Sequence, residues 1–416
     1  MTAPAARVPV EEARARVLAA LRTLDAELVP VRRTLGRVLR EPIVAPYTSP
    51  AWPNSAMDGY AVRSADVRAA TPDAPVILPV AGTIAAGGRA PDALAPGTAW
   101  RIMTGAPIPT GADGVIRIED TDGGTTQVTI RDARDAGRNV RPRGEDFGRG
   151  DLLLDRGTVL GPAHVGLLAA CGRREVRVGR PPRVALLASG DELVDIDRFG
   201  EVLTGDRIVS TNSYTLAAAI TEAGAVPHDL GLVADEPSAM LARLEGALEE
   251  RVDAIVTSGG ISVGAFDHTR DVLTRLGATL DVWRVRMRPG GPFAFGMVRG
   301  IPWFGLPGNP VSALVTFELF VRPALRSLLG DPRPVPAPLR AQLRDAVRTQ
   351  APLTHYLRAV VARDGDGVVR ATLTGPQGSG LLTSMARANA LVVVPHDVQE
   401  LAAGSEVDAL PLAVPA

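Results

Sequence analysis

Lysine is absent from this 416-residue chain, so all 45 positions counted as lysine or arginine are arginine. With 43 glycines and 35 prolines, nearly a fifth of the residues favour short strands and turns. Aromatics make up only 4%. Cysteine occurs once, at Cys171, which excludes an internal disulfide framework and a cysteine-based zinc site. The five histidines are scattered without HxxxH or HxH spacing, so no histidine metal site is expected. The patterns GxGxxG and GxxxxGK(S/T) are missing, which argues against a Rossmann dehydrogenase and a P-loop NTPase. No apolar run approaches the length of a membrane span. The first residues, MTAPAARVPVEEARARV, lack the apolar core of a signal peptide. A net charge of -1 offers no bulk attraction to nucleic acid or membrane. A cytoplasmic location is expected, with neither nucleic acid nor membrane as a partner.

The most informative stretch runs from Thr257 to Ala313 and reads TSGGISVGAFD, RMRPGGPFAFG and GLPGNPVSA in turn. Each piece follows a β-like apolar run closely, and the first and last open helix-like segments. A strand that ends in glycines exposes backbone N–H groups, and a helix N-terminus beyond it adds more, with a positive dipole end. Repeated at the carboxyl ends of neighbouring strands, this builds a cradle for phosphates or oxyanions. Ser258, Gly259 and Gly260 would form one wall; Pro307, Gly308, Asn309, Pro310 and Ser312 would form another. Asn309 suits an N-cap and Pro310 the first helical position, which predicts free N–H groups on Val311 and Ser312. The ligand expected is anionic and bears phosphate.

The length predicts about two to four domains. Residues 10–28 show helical spacing and predict one amphipathic helix. From about 43 to 160 short β-like runs and turns alternate, with an arginine-rich hinge at RNVRPRGEDFGRGD. From Arg183 the rhythm becomes strand–loop–helix, which implies a parallel α/β sheet. DPRPVPAP at 331–338 reads as a proline-rich linker to a small β domain.

Ser189-Gly190-Asp191-Glu192-Leu193 follows the first α/β strand, Asp235 the second and Asp267 the third. Any one of these acids reads equally well as a turn residue or cap. Three at one sheet edge favour a site in which Mg²⁺ bridges carboxylates and phosphates. Arg284, Arg286 and Arg288 alternate along VWRVRMRPG and would share one face of a strand, either as an oxyanion site or as a solvated edge. PNSAMDGYAVR with Asp58, and RIMTGAPIPTGADGVI with Thr104 and Asp113, read as loops by physics alone.

Taken together, PNSAMDGYAVR, RIMTGAPIPTGADGVI, NVRPRGEDF, LLASGDEL, TSGGISVG with Asp267, RPGGPFAFG and GLPGNPVSA resemble the MoeA family, the molybdopterin molybdenumtransferases, which includes the E domain of gephyrin-like proteins. The blocks come in the family's order and cover nearly the whole chain. The resemblance implies a multi-domain α/β plus all-β homodimer. Residues 1–46 and 147–179 would form a segmented elongated domain and 47–146 an inserted β lid domain. Residues 180–330 would be a MogA-like parallel α/β domain that binds molybdopterin, and 331–416 a small C-terminal β domain. The implied substrates are adenylated molybdopterin and molybdate, with Mg²⁺ assisting and AMP released. Transient contacts with molybdopterin adenylyltransferase and apo-molybdoenzymes are further expectations.

Carried onto this sequence, the resemblance puts Asp58 and Thr104 in the lid as catalytic residues, facing an active cleft that the partner subunit helps to build. Glu192, Asp235 and Asp267 would be catalytic and hold the metal, with Ser189 and Gly190 beside them. Pro307 and Pro310 would shape the PGNP turn. Arg284 and Arg288 stand where lysines are usual. Arg358 and Ser379 match residues associated with the molybdate end. Gly291 occupies a position that is usually lysine, and Ala265 one that is often acidic. A GC-rich coding bias accounts for Lys-to-Arg exchange and not for Gly291. The alternatives are a tungstate-specialised or non-catalytic paralogue and, less consistent with the extra domains, a molybdopterin adenylyltransferase.

Overall fold

The computed structural model describes residues 7–89, 93–260 and 266–412, without the side chains of Phe266 and Asp267. The chain divides into two compact units, one from Pro42–Asp155 with Gly166–Arg174 and the other from the rest of the described chain.

The smaller unit is built on a five-stranded sheet of β1 (Gly59–Val62), β2 (Val76–Ile84), β3 (Ala99–Ile102), β4 (Gly114–Arg117) and β5 (Gln127–Ile130), in the order β4-β1-β3-β2-β5. Only β2 and β3 pair in parallel. Tyr60, Val62, Ile116 and Val128 fill its core.

In the larger unit six strands form the central sheet: β6 (Arg183–Ser189), β7 (Val226–Val233), β8 (Ala254–Ser258), β9 (Ala278–Trp283), β11 (Ala294–Val298) and β12 (Ile301–Leu306). Their order is β7-β6-β8-β12-β11-β9. The helices are α1 (Val10–Ala19), α2 (Thr211–Glu222), α3 (Pro237–Glu249), α4 (Phe266–Arg275), α5 (Pro310–Thr316) and α6 (Arg322–Leu329). Because side chains alternate along a strand, Val184, Leu186, Val256, Phe304 and Leu306 pack on α2, α5 and α6, whereas Ala185, Leu187, Ile255 and Trp303 pack on α3 and α4. Burial on both faces explains why these strands read as continuous apolar runs.

The sheet is not wholly parallel. β11 runs against both its neighbours, because Arg299 and Gly300, at φ 50° and 82°, close a two-residue hairpin into β12. The predicted helix over 10–28 stops at Ala19, and Ala26–Pro30 pairs antiparallel with Glu175–Gly179. Backbone pairing there overrides the local apolar spacing. The run PVSALVTFELFVRPALRSLLG is helical throughout but carries a π-turn at Phe317–Val321. Pro323 lacks the N–H that would continue the ladder.

The C-terminal strands β13 (Leu339–Leu343), β14 (Thr354–Arg363), β15 (Val369–Leu373), β16 (Ala390–Val394) and β17 (Glu406–Pro411) close on themselves as β14-β15-β13-β17-β16-β14. A two-residue strand, β10 (Met287–Arg288), joins this barrel by pairing in parallel with β14.

Candidate functional site

In the chain, β6 is followed by β7 on one side of it and β8 on the other, which makes the β6/β8 boundary a topological switch point. Ligands of open α/β sheets bind in the crevice outside the carboxyl ends of strands at such a point. A cavity of about 890 Å³ lies there. Ser189, Gly190, Glu192, Asp235, Ser258, Gly259, Gly260, Pro307, Gly308, Asn309 and Pro310 all line it. These come from the ends of β6, β7, β8 and β12, which no local sequence pattern links.

The turns approach closely because they carry no side chains. Gly259 has φ 93°, and a Cβ on it would lie 2.3 Å from the Ser189 carbonyl oxygen. Asn212, on α2, was not a sequence candidate, yet it ties two of these walls together. Its amide nitrogen donates to Ser258 Oγ at 2.7 Å and to the Gly308 carbonyl at 2.8 Å. A polar STNS run before an apolar helix reads as an ordinary start signal, so the sequence does not set it apart.

The cavity's charge is carried by acids. Asp235 N–H donates to Asp191 Oδ1 at 3.1 Å. The Asp235 carboxyl is held above the usual carboxylate range, first by lost hydration at the cavity wall, then by the like charge of Asp191, with Glu192 adding to it. The side chain of Asp267, the third sequence candidate, lies outside the described residues, as does Ala265.

A second cavity, of about 390 Å³, adjoins the first, and Pro292 and Asn309 line both. Its lining includes Arg7, Arg284, Arg288, Gly291, Ser312 and Ser379, and no carboxylate among the described residues. Arg284, Arg286 and Arg288 do not share a strand face as predicted. β9 ends at Trp283, Arg284 turns left-handed at φ 66°, and Met287–Arg288 belongs to the barrel edge. Arg284 and Arg288 still reach one cavity, because that break redirects the chain. Arg288 donates to Gln350 Oε1 at 2.8 Å.

Asn309 sits at the N-cap position of α5 without a side-chain cap bond. The Val311 N–H, predicted free, donates to the Ser379 carbonyl at 3.1 Å. The C-terminal turn is thereby fastened to the helix start. Arg358 lines neither cavity. Its guanidinium is fully buried in the barrel and donates to Ser384 Oγ and to the carbonyls of Pro376 and Gly378, so it braces the turn that carries Gln377 and Ser379.

Asp58 and Thr104 lie in the smaller unit, where they meet. Asp58 Oδ1 accepts from the Thr104 N–H at 2.6 Å and from its hydroxyl at 2.8 Å. The backbone N–H, then the hydroxyl, holds the Asp58 carboxyl below its usual range.

Comparison with known proteins matches three family models in order along the chain. They are the MoeA N-terminal region (domain I and II) over residues 8–172, a probable molybdopterin binding domain over 185–327, and the MoeA C-terminal region (domain IV) over 340–412. The molybdopterin molybdenumtransferase 2 of Mycobacterium tuberculosis (strain H37Rv) is 38% identical over 403 residues, covering 96% of this chain and 98% of that protein. The molybdopterin molybdenumtransferase of Bacillus subtilis is 35% identical over 407 residues, covering 97% and 94%. The crystal structure of the molybdopterin biosynthesis MoeA protein from Pyrococcus horikoshii OT3 superposes with a TM-score of 0.83 at 29% identity, covering 98% of this chain and all of that one. A likeness that runs end to end through every structural part, at this identity, establishes that the chain belongs to the MoeA family.

Proposed function

We propose that this protein is a molybdopterin molybdenumtransferase of molybdenum cofactor biosynthesis, which inserts molybdate into adenylated molybdopterin with release of AMP. The observation that carries this reading is the pair of adjoining cavities with opposite charge, acids in one and arginines in the other. A molybdate dianion needs cations and N–H groups without carboxylates nearby. A pyrophosphate at glycine-rich turns tolerates carboxylates when a divalent cation lies between them.

Glu192 and Asp235 are the described residues that would hold Mg²⁺, with Asp267 as the third candidate. The donor set fits. Repulsion from Asp191 and Glu192 already favours a positive charge beside Asp235. Mg²⁺ commonly takes one or two carboxylates and completes its shell with water and substrate phosphates. Bound there, the ion would polarise the pyrophosphate linkage. The turns at Gly259–Gly260 and Pro307–Gly308 would seat the phosphates. Arg284, Arg288 and Ser379 would neutralise and orient the oxyanion. Rate enhancement would come from positioning and fixed electrostatics. The Asp58–Thr104 pair would hold a lid loop in shape.

The test is AMP release from adenylated molybdopterin under anaerobic conditions with Mg²⁺, in the presence of molybdate, of tungstate and of neither. Release that requires molybdate is expected. Release indifferent to any oxyanion, or tight binding without release, would overturn the reading. Alanine at Glu192, Asp235 or Asp267 is expected to lower AMP release without shifting the unfolding midpoint. A homodimer, a cytoplasmic location, supply by a molybdopterin adenylyltransferase and delivery to apo-molybdoenzymes complete the proposal. No helix among the described residues is long and apolar enough to cross a membrane.

A further inference from the structure

The arginine-lined cavity has one cation that no motif points to. Val8 forms a parallel bridge with Val285. Its N–H donates to the Arg284 carbonyl at 3.1 Å, and its carbonyl accepts from the Arg286 N–H at 2.8 Å. Just beyond, Val10, Ala13 and Val17 anchor α1 in the core of the larger unit. Arg7 is thus fixed one residue from a hydrogen-bonded seam, and it lines the cavity together with Arg284 and Arg288. None of these three arginines makes an ion pair among the described residues, and Gly291 brings no side chain to the same wall.

Three arginines line one cavity whose described lining holds no acid, so an anion entering it meets cations that only solvent otherwise screens. The seam also depends on the left-handed Arg284, whose φ of 66° is uncommon for a residue with a side chain. Backbone in that region persists where surrounding structure holds it in place, and such residues cluster at ligand sites. The N-terminal seam and the left-handed turn therefore converge on the same place.

We propose that Arg7 is an oxyanion-binding residue, the third cation of this cavity, delivered by the N-terminal segment. The inference rests on reading this cavity as the molybdate end of the site. Arg7 contributes one charge-assisted contact to a tetrahedral dianion, so its loss weakens oxyanion affinity and leaves the neighbouring cavity unaffected. The bridge at Val8 uses backbone atoms only, so a side-chain change at position 7 leaves the seam intact.

The experiment compares molybdate binding by Arg7→Gln, Arg7→Lys and Arg284→Gln, with AMP affinity and the thermal midpoint measured in parallel. Arg7→Gln is expected to raise the Kd for molybdate about tenfold, the scale of one hydrogen bond to a charged group, with AMP affinity and midpoint unchanged. Arg7→Lys, which keeps the charge and loses the planar fork, is expected to recover most of that loss. If Arg284→Gln weakens molybdate binding and Arg7→Gln does not, the role of Arg7 is overturned and the reading of the cavity stands. If neither substitution matters, the reading of the cavity falls and the proposal with it. An equal loss of AMP affinity in Arg7→Gln would also overturn the proposal, since the effect would then not be confined to the oxyanion end.

Discussion

Asn212 is 7% exposed, and its amide nitrogen is committed twice, to a hydroxyl on β8 and to a carbonyl beyond β12. A carbonyl can only accept, so the Gly308 bond fixes which way the amide points. Asn212 Oδ1 is left buried at the cavity wall without a hydrogen-bond partner among the described residues. Asn212→Ala strips a donor from both Ser258 and Gly308, an expected loss of about 1–3 kcal/mol. Urea unfolding and AMP affinity would show how that loss divides between fold and ligand. Asn212→Asp is expected to weaken AMP binding further, because it adds a negative charge beside the phosphate turns. Binding equal to wild type in both variants would remove Asn212 from the site. Gly259→Ala should be worse for activity than either. Its Cβ would collide with the Ser189 carbonyl at a φ of 93°, so the ends of β6 and β8 must move apart. Full AMP release from that variant would show that the close approach is dispensable. Gly259 is legible in the sequence as part of a strand-terminal glycine pair. Asn212 is not, because its importance comes from residues 46 and 96 positions away.

Among the elements, the sheet of residues 59–130 shows how paired carboxylates hold turns together. Asp113 accepts from the Ser64 N–H and hydroxyl, and Asp135 binds Arg117 through two hydrogen bonds at 2.7 and 2.9 Å. The Ser64 hydroxyl holds Asp113 below the usual carboxylate range, and the Arg117 guanidinium does the same for Asp135. A depressed folded-state pKa stabilises the fold fully above the ordinary aspartate value of about 3.9, and that contribution is lost as pH falls through the depressed value. This unit should therefore lose stability on acidification below about pH 4. Tryptophan emission from a Trp283→Phe/Trp303→Phe variant, which keeps only Trp52 and Trp100, would follow it. Asp135→Asn should be less stable at neutral pH and show a shallower acid limb. An unchanged acid limb would mean that the Arg117 pair does not govern it. Strands and turns of this region are readable from composition and spacing. The ion pairs are not, because Arg117 at the end of β4 meets Asp135 in a turn 18 positions further along the chain.

On the scale of the whole molecule, acids collect where the parallel strands end, and arginines collect where the sheet, the N-terminal seam and the barrel edge meet. The net charge of -1 conceals that separation. A homodimer is expected, and sedimentation equilibrium should return twice the chain mass of 43.5 kDa at micromolar concentration. A monomer at that concentration would remove the dimer from the proposal. Closure of the C-terminal strands into a barrel was beyond sequence reading. β14 pairs with β15 along one half and with β16 along the other, and its run THYLRAVVAR carries no sign of that division.

The sequence by itself determined the elements that local chemistry controls. Glycine-rich turns after buried apolar runs, the Asn309-Pro310 helix start and the acids beyond the strands were all legible, because each depends on neighbours within a few residues. Only the tertiary structure decided which of these features meet. It broke the apparent arginine face at Arg284, occupied the Val311 N–H with Ser379, turned Arg358 inward as a brace, and brought Arg7 to the cavity of Arg284 and Arg288. Such contacts join residues tens to hundreds of positions apart. They are set by strand order and by the burial of the core, which no short window of sequence contains.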